Sequence, residues 1–303
     1  MGKTCILCIL YLLLSLETHG QPNFSENFSD TLHPSRLKRL ILTESAFYTA
    51  GIGFLNFIWY RDHERVAFHF YNDLEGYLQM DKAGHGFGAY YQSYQGYYGA
   101  RWAGLDHQKA LIYGAPLGIL FQTPIEIFDG MYEGYGFSWW DTWANVAGTA
   151  IFTIQQAIWE QQFLMMKFSY SPSGYPKYHD TLGETQLESL FLDYNGQTYW
   201  FSGNIKDITG WDHIPPWLNL AIGYSANGMI HEFDNPTSYK GEPFPHLPRY
   251  RQFLFSLDLD LSKIQARRPW VRSLLKHLNF IKIPFPALEI NRMDGLRFRP
   301  LYF

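Results

Sequence analysis

The hydrophobic period of this chain changes once, near residue 168, and that change limits the folds it can form. Over residues 35–167 apolar side chains recur with the helical period, and from residue 168 onward they alternate with a period of two. Helices and strands are therefore expected in separate parts of the chain, as in an α+β protein. We expect an N-terminal membrane-associated helical bundle, followed by a C-terminal antiparallel β-rich region with one amphipathic helix.

The helical part contains four candidate helices, over residues 40–60, 81–91, 110–128 and 141–166. The first carries a single charge, Glu44, and is about long enough to cross a hydrocarbon core, although its glycines also suit tight packing against other helices. The second has three glycines that would let a neighbour approach closely. The third is expected to be kinked or broken at Pro116 and Pro124. The fourth is the clearest, with Asp141 near its start, where a carboxylate suits the helix dipole.

The alternation of apolar and polar side chains is clearest over residues 251–261. There Phe253, Phe255 and Leu257 fall on one face of the predicted strand, and Ser256 and Asp258 fall on the other. Residues 218–225 alternate in the same way, and residues 199–205 and 295–303 are weaker strand candidates. Such strands suit a membrane, but four to six of them are fewer than the eight that a bacterial single-chain barrel needs. An ordinary half-buried sheet explains the same alternation. Residues 267–280 predict an amphipathic helix that could lie on an anionic membrane or pack on the sheet.

The first 20 residues have the features of an export signal. Lys3 is followed by an apolar run over residues 5–16 and by the small residues Thr18 and Gly20, so residues 1–20 are predicted to be a signal peptide. Both cysteines, Cys5 and Cys8, lie in it, so the exported chain would have no disulfide, no catalytic thiolate and no Cys-ligated zinc. We expect residues 21–36 to be a flexible lead, 37–167 a helical domain with a polar centre, and 168–303 a β-rich C-terminal region.

The composition favours a membrane over nucleic acid as the partner. Aromatic residues make up 18% of the chain and charged residues only 17%, whereas about a quarter charged is typical of soluble domains. Tyr and Trp favour bilayer interfaces, where one end of the ring is wet and the other is apolar. The net charge of -4 argues against nucleic acid, which calls for a basic surface. We therefore expect the protein to contact a membrane. The location we expect is the outer membrane or its periplasmic face.

Ionisable and polar residues form three clusters between residues 72 and 148, in a stretch otherwise rich in Tyr, Trp and Gly. They are Asp81, Lys82 and His85, then Glu126 and Asp129, then Ser138, Asp141 and Asn145. Spacings of three or four place the members of a cluster on one helix face. Burying charge is unfavourable unless it is paired, bound to metal or neutralised. The clusters therefore predict one shared polar centre.

Three roles for this centre stay open. In a structural network, Lys82 and Arg101 would neutralise the acids and hold the helices in register. In an acid/base site, a carboxylate would orient His85 and tune its pKa. In a metal site, carboxylates and one imidazole would hold a divalent ion. The ligands of that ion would be Asp81, His85, Glu126, Asp129 and Asp141. No hydrolase elbow, P-loop, dinucleotide fingerprint or zincin helix is present, so catalytic residues stay unassigned and no cofactor-binding motif is recognised.

Several segments resemble the YfiM-like family of uncharacterised, predicted periplasmic or outer-membrane proteins, which has longer members in the Bacteroidota. They are Phe-His-Phe-Tyr-Asn-Asp at 68–73, Tyr-Leu-Gln-Met-Asp-Lys-Ala-Gly-His at 77–85, Gly-Phe-Ser-Trp-Trp-Asp at 136–141 and Asn-Val-Ala-Gly at 145–148. The resemblance extends to residues 217–224, 256–260 and the final Pro-Leu-Tyr-Phe. It implies an envelope location but no established reaction. Short members are lipoproteins, whereas no lipobox precedes Cys8.

Two functions follow from these observations. The first is a non-enzymatic, outer-membrane-associated envelope protein, an accessory subunit of an assembly or transport complex, with outer-membrane lipid or an outer-membrane protein complex as its partner. The second is a metal-dependent hydrolase or lipid-modifying enzyme of the envelope. It would use Asp81, His85, Glu126, Asp129 and Asp141. The lack of a complete catalytic motif favours the first.

Overall fold

The structure is a computed structural model that describes residue 28 and residues 30–58, 60, 63–244 and 246–303. The predicted signal peptide and half of the predicted flexible lead lie outside the described residues. Helices dominate the N-terminal half: α1 Pro34–Ile58, α2 Met80–Trp102, α3 His107–Tyr113, α4 Leu117–Asp129 and α5 Trp139–Trp159. The candidate helix over residues 110–128 is broken between Tyr113 and Leu117, as its first proline predicts, whereas Pro124 lies inside α4.

Helices α2 and α5 pack against each other through two glycines. A Cβ atom on Gly148 would lie 2.0 Å from the carbonyl oxygen of Gly86, so only glycine allows this approach. Ser138 caps α5 by accepting a hydrogen bond from the backbone N–H of Asp141 at 3.1 Å. Because a carbonyl oxygen of one backbone meets the Cα of the other, α2 and α5 lie directly against each other at Gly86 and Gly148.

The predicted helix over residues 141–166 is wrong at its C-terminal end. Helix α5 ends at Trp159, Glu160 adopts a left-handed conformation with φ of 54°, and strand β1, Leu164–Tyr170, follows. The side chain of Gln155 holds Leu164 at this turn, accepting from its N–H and donating to its carbonyl oxygen, both at 2.9 Å. The apolar residues that extend the helical pattern therefore belong to a strand whose partner is distant in sequence.

Strand β1 is followed by β2 Gln197–Asn204, β3 Leu218–Asn227, β4 Ser238–Tyr239, β5 Glu242–Pro243, β6 Tyr250–Leu259, β7 Phe285–Asn291 and β8 Gly295–Tyr302. Six of these strands form one antiparallel sheet in the order β1-β2-β3-β6-β7-β8, while β4 and β5 form a small hairpin. Short helices α6 Gln186–Leu192, α7 Ile205–Thr209 and α8 Pro269–His277 lie in the connections. The α+β class and the amphipathic helix, here α8, are confirmed; the domain boundaries stay a prediction.

The outward face of this sheet is apolar and exposed. One row of side chains, paired from strand to strand, runs through Phe201, Ile222, Phe255, Leu288 and Phe298. We call the whole set the apolar outer face, in which each side chain is between 40% and 69% exposed. It consists of Phe201, Leu220, Ile222, Phe253, Phe255, Leu257, Leu288, Ile290, Leu296 and Phe298. In an ordinary half-buried sheet the apolar side faces the core, so the expected alternation is present with its polarity reversed.

The opposite face, which we call the polar inner face, is buried and internally paired. Lys167 and Asp258, both completely buried, form an ion pair at 2.8 Å, and Ser202 donates to Asp258 at 2.7 Å. Further along, Glu289 pairs with Arg299 at 2.6 Å and accepts from Gln252 at 2.6 Å. Buried polar groups are tolerated when their hydrogen bonds are satisfied, and these contacts meet that condition.

The sheet curls around its inner face. The ring centroids of Trp200 on β2 and Tyr302 on β8 lie 5.9 Å apart, although three strands separate β2 from β8. On the outer side, α2 packs on β1 and β2, where Phe87 lies against Phe168 and Tyr199, with ring centroids 6.0 and 5.8 Å away. The turn before α2 reaches β3, where the hydroxyl of Tyr224 donates to the Leu78 carbonyl oxygen, whereas the ten side chains of the apolar outer face remain exposed.

Helix α5 shows the same reversal of polarity. Its buried side carries Asp141, Asn145, Thr149, Gln155 and Gln156, whereas its exposed residues include Trp140, Trp143, Ile154 and Ile158. Among the described residues, the stretch His107–Asp129 passes a test of length and hydropathy for a membrane span, with a third of its most apolar part buried. One such stretch is weak evidence, because core helices pass the same test, and α3 and α4 divide it into two helices.

Candidate functional site

The polar centre lies where the start of α2, the end of α4 and the start of α5 meet. Helix α2 contributes Asp81 and His85, α4 contributes Glu126, and α5 contributes Asp141 and Asn145. All five are buried, with at most 6% of each residue exposed. The close approach at Gly86 and Gly148 fixes this arrangement, so the centre depends on the helix packing described above.

Lys82 supplies the positive charge of the centre. Its Nζ atom lies 2.6 Å from Asp73, 2.9 Å from Asp141 and 3.2 Å from Asp81. Asp73 also accepts a hydrogen bond from Ser138 Oγ at 2.6 Å. One ammonium group therefore ties α2 to α5 and to the segment that precedes α2.

His85 lies between two groups of partners. Its Nδ1 atom is 3.3 Å from Asn145 Oδ1 and 3.4 Å from Glu126 Oε1. Its Nε2 atom is 3.9 Å from Asp81 Oδ1 and 4.0 Å from Asp141 Oδ1, beyond hydrogen-bond distance. A hydrogen on Nδ1 would be donated to Asn145, which leaves the lone pair of Nε2 directed towards the two aspartates.

Burial and charge shift the pKa values of these groups in different directions. Burial opposes the ionisation of Asp81, but Lys82 and His85 outweigh it and lower its pKa. Burial is likewise outweighed at Lys82, where the three aspartates raise the pKa. Burial lowers the pKa of His85. Burial, reinforced by neighbouring carboxylates, raises the pKa of Glu126 and of Asp141 well above the usual range. Burial therefore disfavours the charged forms of His85, Glu126 and Asp141.

Glu126 differs from the other acids because neither of its carboxyl oxygens has a hydrogen-bond partner in the part of the chain that the structure describes. Gln122, one turn earlier on α4, is completely buried, and its amide oxygen and nitrogen also lack partners among the described residues. A buried polar group without a partner is unfavourable by about 1–3 kcal/mol. The polar groups on this side of the centre are therefore available to bind a proton, a water molecule or a cation.

A strained turn precedes the centre. Tyr77, Leu78 and Gln79 have φ values of 46°, 50° and 66°, in the left-handed region that non-glycine residues seldom adopt. The turn is held from outside, because Tyr77 N–H donates to the Glu232 carbonyl oxygen at 2.7 Å and the hydroxyl of Tyr224 donates to Leu78. Strain of this kind clusters at functional sites, where the surroundings maintain it.

The structure brings most of the sequence-predicted residues together, but not all of them. Asp81, Lys82, His85, Glu126, Ser138, Asp141 and Asn145 share the centre. Asp129 lies to one side, where it accepts a hydrogen bond from Tyr60 at 2.5 Å. Arg101, expected to share in a neutralising network, instead pairs with Asp30 at 2.7 Å, because it lies at the far end of α2.

Two residues that helical spacing did not identify also belong to the centre. Asp73 precedes α2 and binds Lys82, and Tyr194 donates to Asp81 Oδ1 at 2.8 Å from 113 residues away. Asp73 is the last residue of the 68–73 segment that carries the family resemblance, so a local signal exists for it. Tyr194 follows α6 at the start of a short 3₁₀ turn, Tyr194–Gly196, and its role depends on tertiary contacts alone.

The centre can hold a cation in principle. Asp81, His85 and Asp141 each offer a ligand atom, and these atoms lie within 4.8 Å of one another. The His85 Nε2 to carboxylate distances of 3.9 and 4.0 Å exceed the separation of about 3.3 Å between ligands at 2.0–2.1 Å from a tetrahedral Zn²⁺, so the ligands would have to close in. Lys82 already occupies the space between Asp81 and Asp141. The donor set suits a metal ion, but the ammonium competes for it.

Comparison with known proteins gives one match. Residues 70–157 match the model of a family described as "Predicted periplasmic lipoprotein (DUF2279)". The matched part runs from the segment before α2 into α5, and it includes Asp73 and every residue of the centre except Tyr194. It supports an exported, envelope-associated protein, while the narrower YfiM-like assignment stays a prediction. No curated protein and no solved structure matches this chain.

Proposed function

We propose that this chain is a non-enzymatic envelope protein that binds the outer membrane by laying its apolar outer face against lipid hydrocarbon. There it acts as an accessory subunit of an envelope assembly or transport complex. The observation that carries this proposal is the reversed polarity of the sheet, with exposed Phe255 and Leu288 on one side and the buried Lys167–Asp258 pair on the other.

Water would disfavour such an arrangement, and lipid would favour it. Monomeric soluble proteins seldom expose contiguous apolar patches larger than a few hundred Å², and larger patches mark protein or membrane contacts. Here ten apolar side chains on five adjacent strands are exposed together, and no described residue covers them. Strands that contact lipid place apolar side chains outward and polar ones inward, which is the pattern of β3, β6 and β7.

The contacts of Lys82 support a structural role for the polar centre. Its ammonium lies within 3.2 Å of three aspartate carboxyl groups, so the protein itself places a cation among the acids. In this account the ion pairs hold α2 against α5, and through Tyr194 they also join the helices to the segment before β2. The envelope location that the family match supports agrees with a membrane partner.

Vesicle flotation tests the membrane contact. The purified full chain should float with phospholipid vesicles. The double variant Phe255→Ser, Leu288→Ser should partition into them roughly tenfold or more less strongly, because each substitution removes more than about 1 kcal/mol of favourable transfer free energy. The control is Leu187→Ser with Met293→Ser, two apolar residues that are at least as exposed but lie off the outer face. Equal flotation of both double variants would refute the contact.

The accessory role needs a separate measurement. Extraction in mild detergent, followed by crosslinking, should recover the chain with one or more envelope proteins in constant ratio. A chain that stays monomeric, with no reproducible envelope partner, would rule out the accessory role while leaving the membrane contact intact.

A second candidate function rests on Glu126. Its unpartnered carboxyl group beside His85 suits a metal-dependent hydrolase or lipid-modifying enzyme of the envelope. That function predicts a stoichiometric divalent ion in the purified protein, lost in His85→Ala but kept in the control His63→Ala, with both variants folded by circular dichroism. Elemental analysis without a bound divalent ion would count against the metal-dependent enzyme.

A further inference from the structure

One end of the sheet carries an unusual combination of exposed tryptophans and arginines. The pairing of Leu218 with Leu259 places the start of β3 and the end of β6 at this end, and the pairing of Phe285 with Tyr302 adds the start of β7. Helix α8 therefore lies here, since it connects β6 to β7, and so does the connection from α7 to β3. We define the Trp–Arg rim as Trp211, Trp217, Trp270, Arg267, Arg268 and Arg272.

The tryptophans of the rim are exposed to solvent. Trp270 is 61% exposed, Trp211 55% and Trp217 39%. An indole ring combines a large apolar surface with one N–H donor, so it favours the boundary between hydrocarbon and headgroups. Trp217 immediately precedes β3, and Trp211 and Trp270 lie in the two connections at the same end of the sheet.

The arginines of the rim are exposed and have no acidic partner. Arg267, Arg268 and Arg272 form no ion pair with any described residue. Two other basic groups at this end are engaged, because Lys206 pairs with Asp212 at 3.2 Å and Lys263 pairs with Asp207. Three positive charges therefore remain unbalanced around Trp270.

The arginines at the opposite end of the sheet are held by side-chain contacts. Arg251 donates to Gln79 Oε1 at 2.7 Å, Arg292 donates to the carbonyl oxygen of Arg249, and Arg297 pairs with Asp294 at 3.2 Å.

We propose that the Trp–Arg rim binds the anionic phosphate headgroups of the same bilayer whose hydrocarbon contacts the apolar outer face. Guanidinium groups bind phosphate oxygens in pairs, and the indole rings lie at the depth where headgroups meet hydrocarbon. The inference rests on the proposed membrane contact and adds two properties to it: the class of lipid headgroup, and the end of the sheet that lies at the bilayer surface.

Flotation with two vesicle types tests this proposal. The full chain should partition more strongly into vesicles of phosphatidylcholine with phosphatidylglycerol than into phosphatidylcholine alone, and high salt should remove the difference. In the triple variant Arg267→Gln, Arg268→Gln, Arg272→Gln, the partition coefficient for anionic vesicles should fall at least about tenfold. Its partition coefficient for neutral vesicles should stay the same. The control is Lys177→Gln, Lys240→Gln, Arg297→Gln, which removes the same charge elsewhere and should keep the preference.

The outcomes separate this proposal from the one it rests on. Equal binding of wild type to both vesicle types, or an arginine variant that keeps the anionic preference, refutes the rim alone. If no vesicle binds the wild type, the membrane contact fails as well. If the anionic preference is lost equally in both triple variants, general charge attraction explains it and the rim has no special role. Capture of an acidic protein by the rim without any preference among vesicles would also overturn the proposal.

Discussion

The Nζ atom of Lys82 lies 2.9 Å from Oδ1 of Asp141, and this ion pair joins the first turns of helices α2 and α5. Asp73 and Asp81 bind the same ammonium group. Lys82→Met removes the cation and leaves three buried carboxyl groups, so the free energy of unfolding should fall by about 3–5 kcal/mol. Denaturant unfolding measures it, with the exposed Lys177→Met as the control, expected within about 0.5 kcal/mol of wild type. A Lys82→Met protein as stable as the control would contradict the structural role.

The ionisation of Glu126 should lower stability as the pH rises. Burial, with Asp141 next in effect, raises the pKa of Glu126 well above the usual range. A group whose pKa is higher in the folded state than in the unfolded state stabilises the protein at pH values below its unfolded-state pKa. This stabilisation is lost as the pH rises through its folded-state pKa. Glu126→Gln mimics the protonated form, so its stability relative to wild type should increase as the pH rises from about 5 to about 9.

Urea unfolding at several pH values measures this effect, with Glu64→Gln as an exposed control whose profile should follow wild type. A Glu126→Gln variant that becomes less stable than wild type as the pH rises would contradict the assignment. It would mean that the folded protein binds the ionised carboxylate, through His85 or a cation.

The Gly86–Gly148 contact should be intolerant of any side chain. A Cβ atom on Gly148 would lie 2.0 Å from a backbone oxygen that cannot rotate away, so Gly148→Ala should lower stability by about 1–3 kcal/mol or more. At Gly53, in helix α1, a Cβ atom would meet no other atom within 4 Å. Gly53→Ala should therefore be neutral or up to about 1 kcal/mol more stable. Similar thermal stabilities for the two variants would refute the close helix contact.

The buried pair on the inner face should matter more than an exposed one. Asp258→Asn leaves the completely buried Lys167 without its counter-charge, which should lower stability by about 3–5 kcal/mol. Asp294→Asn removes an exposed pair with Arg297 and should change stability by less than about 1 kcal/mol. If the two substitutions lowered the free energy of unfolding in detergent by the same amount, the inner face would have to be open to water.

Sequence alone predicts the division into helices and sheet, since it depends only on the period of apolar residues. The period does not say which face of a strand turns inward, because Phe255 and Ser256 alternate identically either way. Nor does it separate a helix end from a buried strand: Met165 and Met166 continue the apolar pattern of α5, and only pairing with β2 makes them part of β1.

The polar centre is predictable in part for a similar reason. Asp81 with His85 and Asp141 with Asn145 follow helical spacing, so each pair is visible locally. Tyr194 joins them from 113 residues away, and Arg101 departs because it lies five turns along the same helix. These assignments depend on how elements pack, which spacing within one element does not describe.

The depth of single labels in a membrane tests the central claim most directly. In a background with Cys5 and Cys8 replaced by serine, a cysteine at Phe255 or Leu288 would carry an environment-sensitive fluorophore, with Asp294 in the β7–β8 turn as the control site. On vesicles, the labels at 255 and 288 should shift to shorter emission wavelengths and be quenched by brominated acyl chains, while the label at 294 stays open to an aqueous quencher. Labels at 255 and 288 that remain as open to the aqueous quencher as the label at 294 would contradict the proposed membrane contact.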